Sequence, residues 1–466
     1  MWTRRQFLAG TAALTALPLP LPAQAQADSS GRAPVVLEAR QRAMSLLPGS
    51  TTPIWTYGDG QDWPPVLRTQ RGAPFRATLT NRVTEHTAIH WHGIRLPNAM
   101  DGVPYMTQPP VEPGQSFAYE FAPPDAGTFF FHPHCNTVEQ LGRGLAGVLI
   151  VEDAAEERRF LADHVVAIKD WRLKPDGSFD VFSTDKGAAR AGTFGTVETV
   201  NARPHARLEA LAHGWVRLRV LNLDVSRLVV VALDGAEGFV IATDGNPLPP
   251  VPLKTWRLGP AMRVDIAFRM PWHSVRLQNV WGSKPELLAE IAFIESALPA
   301  IGAMPQLAAS GVTEPDFENA ERLRFDLTAG HVSPELEAYL RENKLGLDAL
   351  CLPQRTFWAI NGKSWSGQDH QLKPPPLAEL KLGRSYIFEL FNGTPHPHPI
   401  HLHGHTFRVL RSSKDEIVPH LADTVLLAPK ERVEIAFTAD NPGMWMMHCH
   451  IIEHQETGMM GYVTVA

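Results

Sequence analysis

The pattern of apolar and polar residues repeats three times along the chain. Each copy contains a strand-like segment that ends at an asparagine, namely Asn81, Asn222 or Asn392. A proline follows, and an alternating segment then ends at a phenylalanine, over residues 113–121, 260–268 and 429–437. Because an apolar period of two is typical of a strand with one buried face, each copy predicts a small antiparallel β-sandwich. The sequence therefore predicts an all-β protein of three consecutive sandwiches.

The positions of the repeat also predict the domain boundaries. We expect domain 1 over residues 32–155, domain 2 over 156–298 and domain 3 over 321–466. The segment 299–320 is rich in proline, alanine, glycine and serine, so it is interpreted as a linker. A short surface helix is predicted over 335–347.

Histidines occupy equivalent places in the first and third copies only. His90 and His92 follow Asn81 at nine and eleven residues, and His401 and His403 follow Asn392 at the same intervals. His132 and His134, and likewise His448 and His450, follow the final phenylalanine at eleven and thirteen residues. The corresponding residues of the middle copy are Val231, Leu233, Asn279 and Trp281, so domain 2 is interpreted as a spacer.

These eight imidazoles predict a metal cluster. Buried imidazoles without partners would cost free energy, and bound metal ions remove that cost. Imidazole favours copper, and eight imidazoles suit three copper ions better than one or two. The cleft between domains 1 and 3 is the expected location.

A second metal site is predicted around Cys449. His454 and Met459 follow this cysteine, and a thiolate, two imidazoles and a long axial thioether are typical of a soft trigonal copper site. His398 is the candidate for the second imidazole. In a strand His448 and His450 would face one side and Cys449 the other, so one strand would join both sites.

The remaining histidines are interpreted without a metal. His86, His396, His405 and His420 lie near ligand segments, and we expect them to surround the ligands or to lie at the surface. Surface or hydrogen-bonded positions are expected for His164, His205, His213, His273, His331 and His370.

Composition and charge exclude some functions. The 466 residues are 44% apolar and 20% charged, which is typical of a globular protein of two or three domains. A net charge of −6 offers no basic surface for nucleic acid. No apolar run reaches the length of a membrane helix, so we expect no stable membrane insertion, and we expect a monomer.

The first residues resemble a bacterial twin-arginine (Tat) signal. Arg4 and Arg5 precede an Ala/Leu-rich stretch, and small residues near Ala27 offer a cleavage site, so we interpret 1–27 as a signal peptide. This implies export by the Tat machinery to the periplasm. In that oxidising compartment Cys135 and Cys351 could form a disulfide, although two buried free thiols are the favoured alternative.

The motifs together resemble the three-domain multicopper oxidases, of the laccase and exported bacterial copper oxidase kind. They are His90-Trp91-His92-Gly93, His132-Pro133-His134, the stretch 398–404, and His448-Cys449-His450 through His454 to Met459. The resemblance covers essentially the whole chain after the signal and implies three consecutive cupredoxin-like Greek-key domains.

The same resemblance implies four copper ions and a reaction. The type 1 copper would take His398, Cys449, His454 and Met459; the type 2 copper would take His90 and His401; the two type 3 coppers would take His92, His132, His134, His403, His448 and His450. A reductant would give up electrons singly at the type 1 site, and four of them would reduce dioxygen to two molecules of water at the cluster.

Two departures from the family pattern concern protons and the reductant. Gln455 stands where related enzymes carry a glutamate, so Glu456 or Asp101 is the expected proton carrier, with a simple Asp-Gly turn as the alternative for Asp101. No methionine-rich insertion is present, which favours phenols or similar organic donors over Cu(I), Mn(II) or Fe(II). A copper-storage protein or a copper-free cell-division scaffold are remote alternatives.

Overall fold

The computed structural model describes residues 33–58, 60–156, 160–295, 302–329, 357–365 and 373–466. The predicted signal peptide and the predicted helix over 335–347 lie outside the described residues, as do Cys351, His331 and His370. Cys135 carries a buried free thiol.

Strands dominate the described residues and form six sheets. The first two sheets are built from eight strands: β1 (Val35–Met44), β2 (Thr52–Thr56), β3 (Val66–Gln70), β4 (Phe75–Asn81), β5 (His90–His92), β6 (Ser116–Phe121), β7 (Gly127–His132) and β8 (Gly147–Glu152). A 3-10 turn covers Asn98–Met100, and helix α1 covers Thr137–Gly142.

The next eleven strands form the second pair of sheets. They are β9 (Ala162–Trp171), β10 (Val197–Val200), β11 (Ala206–Leu211), β12 (Trp215–Asn222), β13 (Val229–Asp234), β14 (Gly238–Thr243), β15 (Asn246–Pro252), β16 (Trp256–Leu258), β17 (Arg263–Arg269), β18 (Val275–Asn279) and β19 (Glu286–Ile294). Helix α2 covers Asp185–Ala188.

The last eleven strands form the third pair of sheets. They are β20 (Glu321–Ala329), β21 (Trp358–Ile360), β22 (Ala378–Leu380), β23 (Ser385–Asn392), β24 (His398–Leu402), β25 (Phe407–Ser412), β26 (His420–Ala422), β27 (Thr424–Leu427), β28 (Arg432–Thr438), β29 (Gly443–Cys449) and β30 (Met460–Val465). Helix α3, Ile452–Glu456, precedes the last strand.

The sheets are mixed, whereas we expected them to be antiparallel. The strand orders are β2-β1-β4-β6 with β3-β8-β7-β5, β10-β9-β12-β17-β14-β15 with β11-β19-β18-β13-β16, and β21-β20-β23-β28-β25-β26 with β22-β30-β29-β24-β27. Each sheet contains one parallel pair: β1 with β4, β3 with β8, β9 with β12, β11 with β19, β20 with β23, and β22 with β30. An apolar period of two reports which face of a strand is buried, and it carries no information about direction. The exact domain boundaries stay predictions.

The repeated asparagine and proline have the same structural role in each copy. Asn81, Asn222 and Asn392 each end a strand, and each carboxamide nitrogen donates to backbone carbonyls of two segments that follow. Each carboxamide oxygen accepts a backbone N–H two residues on. The residue after each repeat proline, which is Gly114, Ala261 or Lys430, has a positive φ, as a type II turn requires. The sequence repeat is therefore a repeat of hydrogen bonds.

The register of the strands confirms the alignment of the three copies. His90 lies opposite His132 in the first copy, and His401 lies opposite His448 in the third. In the middle copy Val231 lies opposite Asn279, which is the same pairing without imidazoles. No helix among the described residues has the length and apolar character needed to cross a membrane.

We predict that Asn222→Ala lowers the stability of the protein without affecting metal binding. The side chain is fully buried, and its loss leaves two carbonyls and one N–H without a partner, at a cost of about 2–4 kcal/mol. Calorimetric unfolding of the metal-loaded protein measures the change. Gln278→Ala in the same copy is the control, at less than about 0.5 kcal/mol. Equal effects of both substitutions would contradict the role assigned to Asn222.

Candidate metal centres

One sulfur and two imidazoles meet in the third copy. The Cys449 Sγ lies 3.5 Å from the His398 Nδ1 and 3.6 Å from the His454 Nδ1, and the two nitrogens are 3.0 Å apart. All three side chains are buried, and their ligand atoms lie within 4.8 Å of one another. Strand β24 supplies His398, the end of β29 supplies Cys449, and α3 supplies His454. We call these residues the sulfur group.

The outward nitrogens of the sulfur group are hydrogen-bonded. The His398 Nε2 lies 2.8 Å from the Thr394 hydroxyl, and the His454 Nε2 lies 2.5 Å from the Arg190 carbonyl oxygen. The Trp358 ring packs on both imidazoles, with centroids 5.1 and 4.4 Å away. Only the inward nitrogens therefore face the sulfur, as in a site where partners of the outward nitrogens orient the ligands.

The chemistry of the sulfur group fits a soft metal ion. Burial raises the pKa of the Cys449 thiol, and a backbone N–H from Ile451 only partly opposes this. Burial lowers the pKa of His454 to about 3 and that of His398 well below its usual range, so both imidazoles are neutral. Neutral imidazoles bind metals, and a bound metal is what would deprotonate such a thiol. Met459 is buried beside them, and its carbonyl accepts the Cys449 N–H at 3.0 Å.

Eight imidazoles gather at the opposite face of β29. His90, His92 and His132 lie in β5 and β7, and His134 follows β7. His401 and His448 lie in β24 and β29, and His403 and His450 follow these two strands. The ring centroids of His92 and His401 are 3.7 Å apart, and those of His90 and His403 are 3.9 Å apart, so rings from the first and third copies stack. We call the following set the imidazole cluster: His90, His92, His132, His134, His401, His403, His448 and His450.

Most of these rings have one nitrogen held from outside. Main-chain carbonyls hold His90, His132, His401 and His448 through their Nδ1 atoms, at 2.8–3.0 Å. Carboxylates hold two more rings: the Asp101 Oδ2 lies 2.9 Å from the His403 Nδ1, and the Asp423 Oδ1 lies 3.0 Å from the His92 Nε2.

The Nε2 atoms of His403 and His448 lie 3.0 Å apart, whereas the other inward nitrogens of the cluster lack partners among the described residues. They are buried, and they include the Nε2 of His90, His132 and His401, the Nδ1 of His92, and both nitrogens of His134 and His450. Burial lowers the pKa of His92, His132, His134, His401, His403, His448 and His450, so protonation does not relieve the deficit. Groups of three ligand atoms lie within 4.8 Å of one another, including His134 with His403 and His448. Orphaned, neutral and converging imidazole nitrogens fit metal ions.

Sequence reasoning missed a buried ion pair at the cluster. Asp423 also contacts His401, and its carboxylate pairs with the Arg263 guanidinium at 2.6 and 2.9 Å. Burial alone would raise the pKa of Asp423, but Arg263 and His401 hold it well below its usual range. Asp244 also pairs with Arg263, at 3.4 Å, and accepts the Asp423 N–H. The sequence clue to Asp423 was an acidic residue within the largely apolar stretch 421–427.

The middle copy therefore does more than separate the other two. None of its described residues belongs to a metal group, yet β17 supplies Arg263 to the cluster. Glu453 of α3 also binds this copy: its carboxylate accepts from Thr193 and Ser226 and pairs with Arg172 at 3.3 Å. The interpretation as a spacer was incomplete.

The predicted proton carriers lie in different surroundings. Asp101 is buried and contacts two cluster histidines, since its carboxylate also lies 3.2 Å from the His90 Nδ1. The Glu456 carboxylate accepts the N–H of Val138 at 2.9 Å, at the start of α1, and burial raises the pKa of Glu456 to about 7. Gln455 is buried, and its side-chain oxygen has no partner among the described residues.

Methionines near the sulfur group pack in the core. Met106, Met446 and Met460 form a buried cluster with Val103, Trp365 and Tyr462, and the partly buried Met444 packs against it. None of the histidines that we interpreted without a metal belongs to a metal group, within the described residues. His405 is buried near Trp445, and its Nδ1 lies 3.2 Å from the His403 carbonyl.

Known proteins share both the sequence and the fold of this chain. Family models of multicopper oxidases match residues 38–156 and 351–466. The chain is similar to the crystal structure of a multi-copper oxidase from Pseudomonas thermotolerans, at 40% identity over 93% of this chain and 99% of that one, with a TM-score of 0.83. It is 29% identical to the multicopper oxidase MmcO of Mycobacterium tuberculosis, over 92% of this chain and 86% of the relative. It is 26% identical to a laccase of Pycnoporus cinnabarinus, over 84% and 82% of the two chains. The likeness confirms the predicted all-β, cupredoxin-like fold class.

We predict that the metal-free protein loses stability as the pH falls below about 6.5. Because burial lowers the folded-state pKa of the cluster imidazoles, the unfolded chain takes up protons first, so stability is complete above the unfolded-state pKa and declines below it. Each such histidine contributes a slope of about 1.4 kcal/mol per pH unit. Denaturant unfolding between pH 8 and 5 measures the slope. A flat profile for the metal-free protein would contradict the neutral cluster.

A second prediction concerns the ion pair. Arg263→Met leaves Asp423 and Asp244 buried without their cation, and we expect a loss of about 3–5 kcal/mol. Arg263→Lys keeps the charge and should lose less. Arg324→Met breaks a half-exposed pair with Asp326 and serves as the control, at about 1 kcal/mol or less. Thermal unfolding measures the stability of all three variants. An Arg263→Met variant as stable as the wild type would contradict the importance of the pair.

Proposed function

Because the chain belongs to the multicopper oxidase family, we propose that it couples four one-electron oxidations of a small organic donor, phenolic in type, to the reduction of dioxygen to two molecules of water. The family uses copper, and the chain is an oxidoreductase with oxygen as acceptor. The observation that carries the proposal is strand β29, which has Cys449 in the sulfur group and His448 in the imidazole cluster.

We assign four copper ions to these side chains. The type 1 copper would be held by His398, Cys449 and His454, with Met459 as the axial ligand. The type 2 copper would be held by His90 and His401. The type 3 pair would be held by two trios: His92 with His132 and His450, whose ring centroids lie 5.0–5.7 Å apart, and His134 with His403 and His448. When bound, the coppers supply sites that accept and store single electrons and that bind oxygen.

The residues of the chain perform the remaining tasks. Cys449 is bonded through the main chain to His448 and His450, which gives electrons a short covalent path from the sulfur group to the cluster. Thr394, Arg190 and Trp358 hold the imidazoles of the sulfur group from outside and exclude water. A site held this rigidly changes its redox state with little rearrangement.

Protons must reach the cluster as oxygen is reduced. Asp101 contacts both His90 and His403, so we propose it as the acidic group nearest the reaction. Glu456 is the second proposed carrier, because it lies at the contact between α3 and α1. Gln140 comes three residues after the start of α1. Gln455 cannot donate and accept protons as a carboxyl group does.

The packing of the methionines supports an organic donor over a cuprous ion. Soft thioethers would attract Cu(I) if they were exposed beside the sulfur group. Met446 and Met460 are instead buried in an apolar cluster. The name of the Pycnoporus cinnabarinus relative, a laccase, supports the same class. Oxidation of Cu(I), Mn(II) or Fe(II) is the alternative.

We also propose that the protein acts outside the cytoplasm. The twin-arginine pattern at Arg4 and Arg5 supports export of the folded protein by the Tat machinery, with residues 1–27 removed. A periplasmic site would give the enzyme access to donors that do not enter the cell.

Cys449→Ser should abolish the strong orange-red absorption expected of a thiolate bound to copper. The hydroxyl cannot replace the soft thiolate, so the sulfur-group copper and all donor oxidation should be lost. Absorption spectra and elemental analysis measure this, with about four coppers expected in the wild type and about three in the variant. Cys135→Ser, at the other buried thiol, is the control and should keep the colour.

A panel of donors tests the substrate class. We expect oxygen uptake with phenols to exceed that with Cu(I), Mn(II) and Fe(II) by at least about tenfold in kcat/KM, which corresponds to about 1.4 kcal/mol. A tenfold preference for a metal ion would instead identify a metallo-oxidase.

A further inference from the structure

A loop of the middle copy covers the sulfur group. We call residues 184–193 the strap; they include helix α2. Two strap carbonyls accept hydrogen bonds from side chains of the third copy: the Ala188 oxygen accepts from the Trp358 Nε1 at 2.7 Å, and the Arg190 oxygen from the His454 Nε2 at 2.5 Å. His454 is consequently fully buried, and its outward edge is in contact with the strap.

The strap is anchored at its end to the helix that carries His454. Thr193 donates its hydroxyl to the Glu453 carboxylate at 2.6 Å and also donates its backbone N–H. Its hydroxyl lies 3.1 Å from that of Thr184, which closes the strap into a loop. Arg172 and Ser226 bind the same carboxylate from the body of the middle copy. The strap and α3 therefore form one hydrogen-bonded unit.

The exposed charged side chains of the strap are Asp185, Lys186 and Arg190, so its outer side carries one negative and two positive charges. The Arg190 side chain is exposed, and no carboxylate among the described residues pairs with it. An exposed, unpaired guanidinium beside an electron-entry point attracts carboxylates and sulfonates, and it repels metal cations.

We propose that the strap is the docking surface for the electron donor, that Arg190 selects organic donors bearing an anionic group, and that the electron enters through the hydrogen bond from His454 to the Arg190 carbonyl. This inference rests on the proposed function and names the substrate class of that same site. A docked phenolate loses one electron and becomes a phenoxyl radical, whereas a neutral phenol also releases its proton to solvent. The electron passes to the sulfur group. Four such events supply the four electrons that reduce dioxygen to two molecules of water, and the four protons are taken up from solvent.

The charge of Arg190 is tested with matched donors. A phenol carrying a carboxylate, a neutral phenol and a phenol carrying a quaternary ammonium group serve as probes. We expect Arg190→Ala to lower kcat/KM for the carboxylated phenol by about tenfold, and Arg190→Glu to lower it further. The neutral phenol should change by less than about twofold, and the loss should shrink with added salt. Lys254→Ala removes an exposed cation of the middle copy that lies outside the strap, and it is the control.

The contact between the strap and His454 has its own readout. Thr193→Val removes the hydroxyl bond to Glu453 and should loosen the strap, which faster hydrogen–deuterium exchange over 184–193 would report. Because the Arg190 carbonyl makes the imidazole a better donor to a metal, loosening should raise the reduction potential of the sulfur-group copper. Thr196→Val, whose hydroxyl bonds to Leu173 instead, is the control. A loosened strap with an unchanged potential would overturn the entry path.

The outcomes separate this inference from the proposed function. If phenols are oxidised but Arg190→Ala lowers kcat/KM equally for all three probes, or for none, the strap is not the docking surface and the proposed function stands. If no phenol is oxidised and a metal ion is, the proposed function is wrong. Should Thr193→Val fail to fold, the Arg190 variants still decide whether the donor docks at the strap.

Discussion

The ten buried imidazoles of the sulfur group and the imidazole cluster constrain the architecture around them. A neutral imidazole offers one donor and one acceptor nitrogen, and a buried polar atom without a partner costs free energy. The protein satisfies the outward nitrogen of most of these rings with a carbonyl, a hydroxyl or a carboxylate and leaves the inward nitrogen for a metal ion. Two outer sandwiches supply the rings, and a strand shared by both sites joins the sulfur group to the cluster.

The middle sandwich shows how a domain without ligands contributes to a metal protein. Through Arg263 it keeps Asp423 ionised between His92 and His401, which come from different outer sandwiches. Through the strap, which binds Glu453 of α3, the middle sandwich holds the His454 ring and covers its edge. A buried ion pair carries a large desolvation cost, so its presence here is better explained by the orientation it gives to ligands than by stability.

The sequence predicted the parts of the molecule that follow a period. The interval from Asn81 to His90 equals that from Asn392 to His401, and the strand register places both histidines opposite equivalent partners. The direction of the strands was not predictable, because an alternating pattern is the same in either direction. Asp423, Arg263 and the strap contacts were not predictable either, since they join residues far apart in the chain and follow no repeat.

Main-chain carbonyls hold half of the ten imidazoles of the sulfur group and the imidazole cluster: those of Asp101, Pro133, Asp423 and Cys449 in the cluster, and that of Arg190 on the strap. A carbonyl is present whichever amino acid occupies the position. At Arg190, the exposed position among the five, a substitution can therefore change the charge at the surface while the carbonyl contact to His454 persists. The side chain at this place on the strap can thus be exchanged without rebuilding the metal site beneath it.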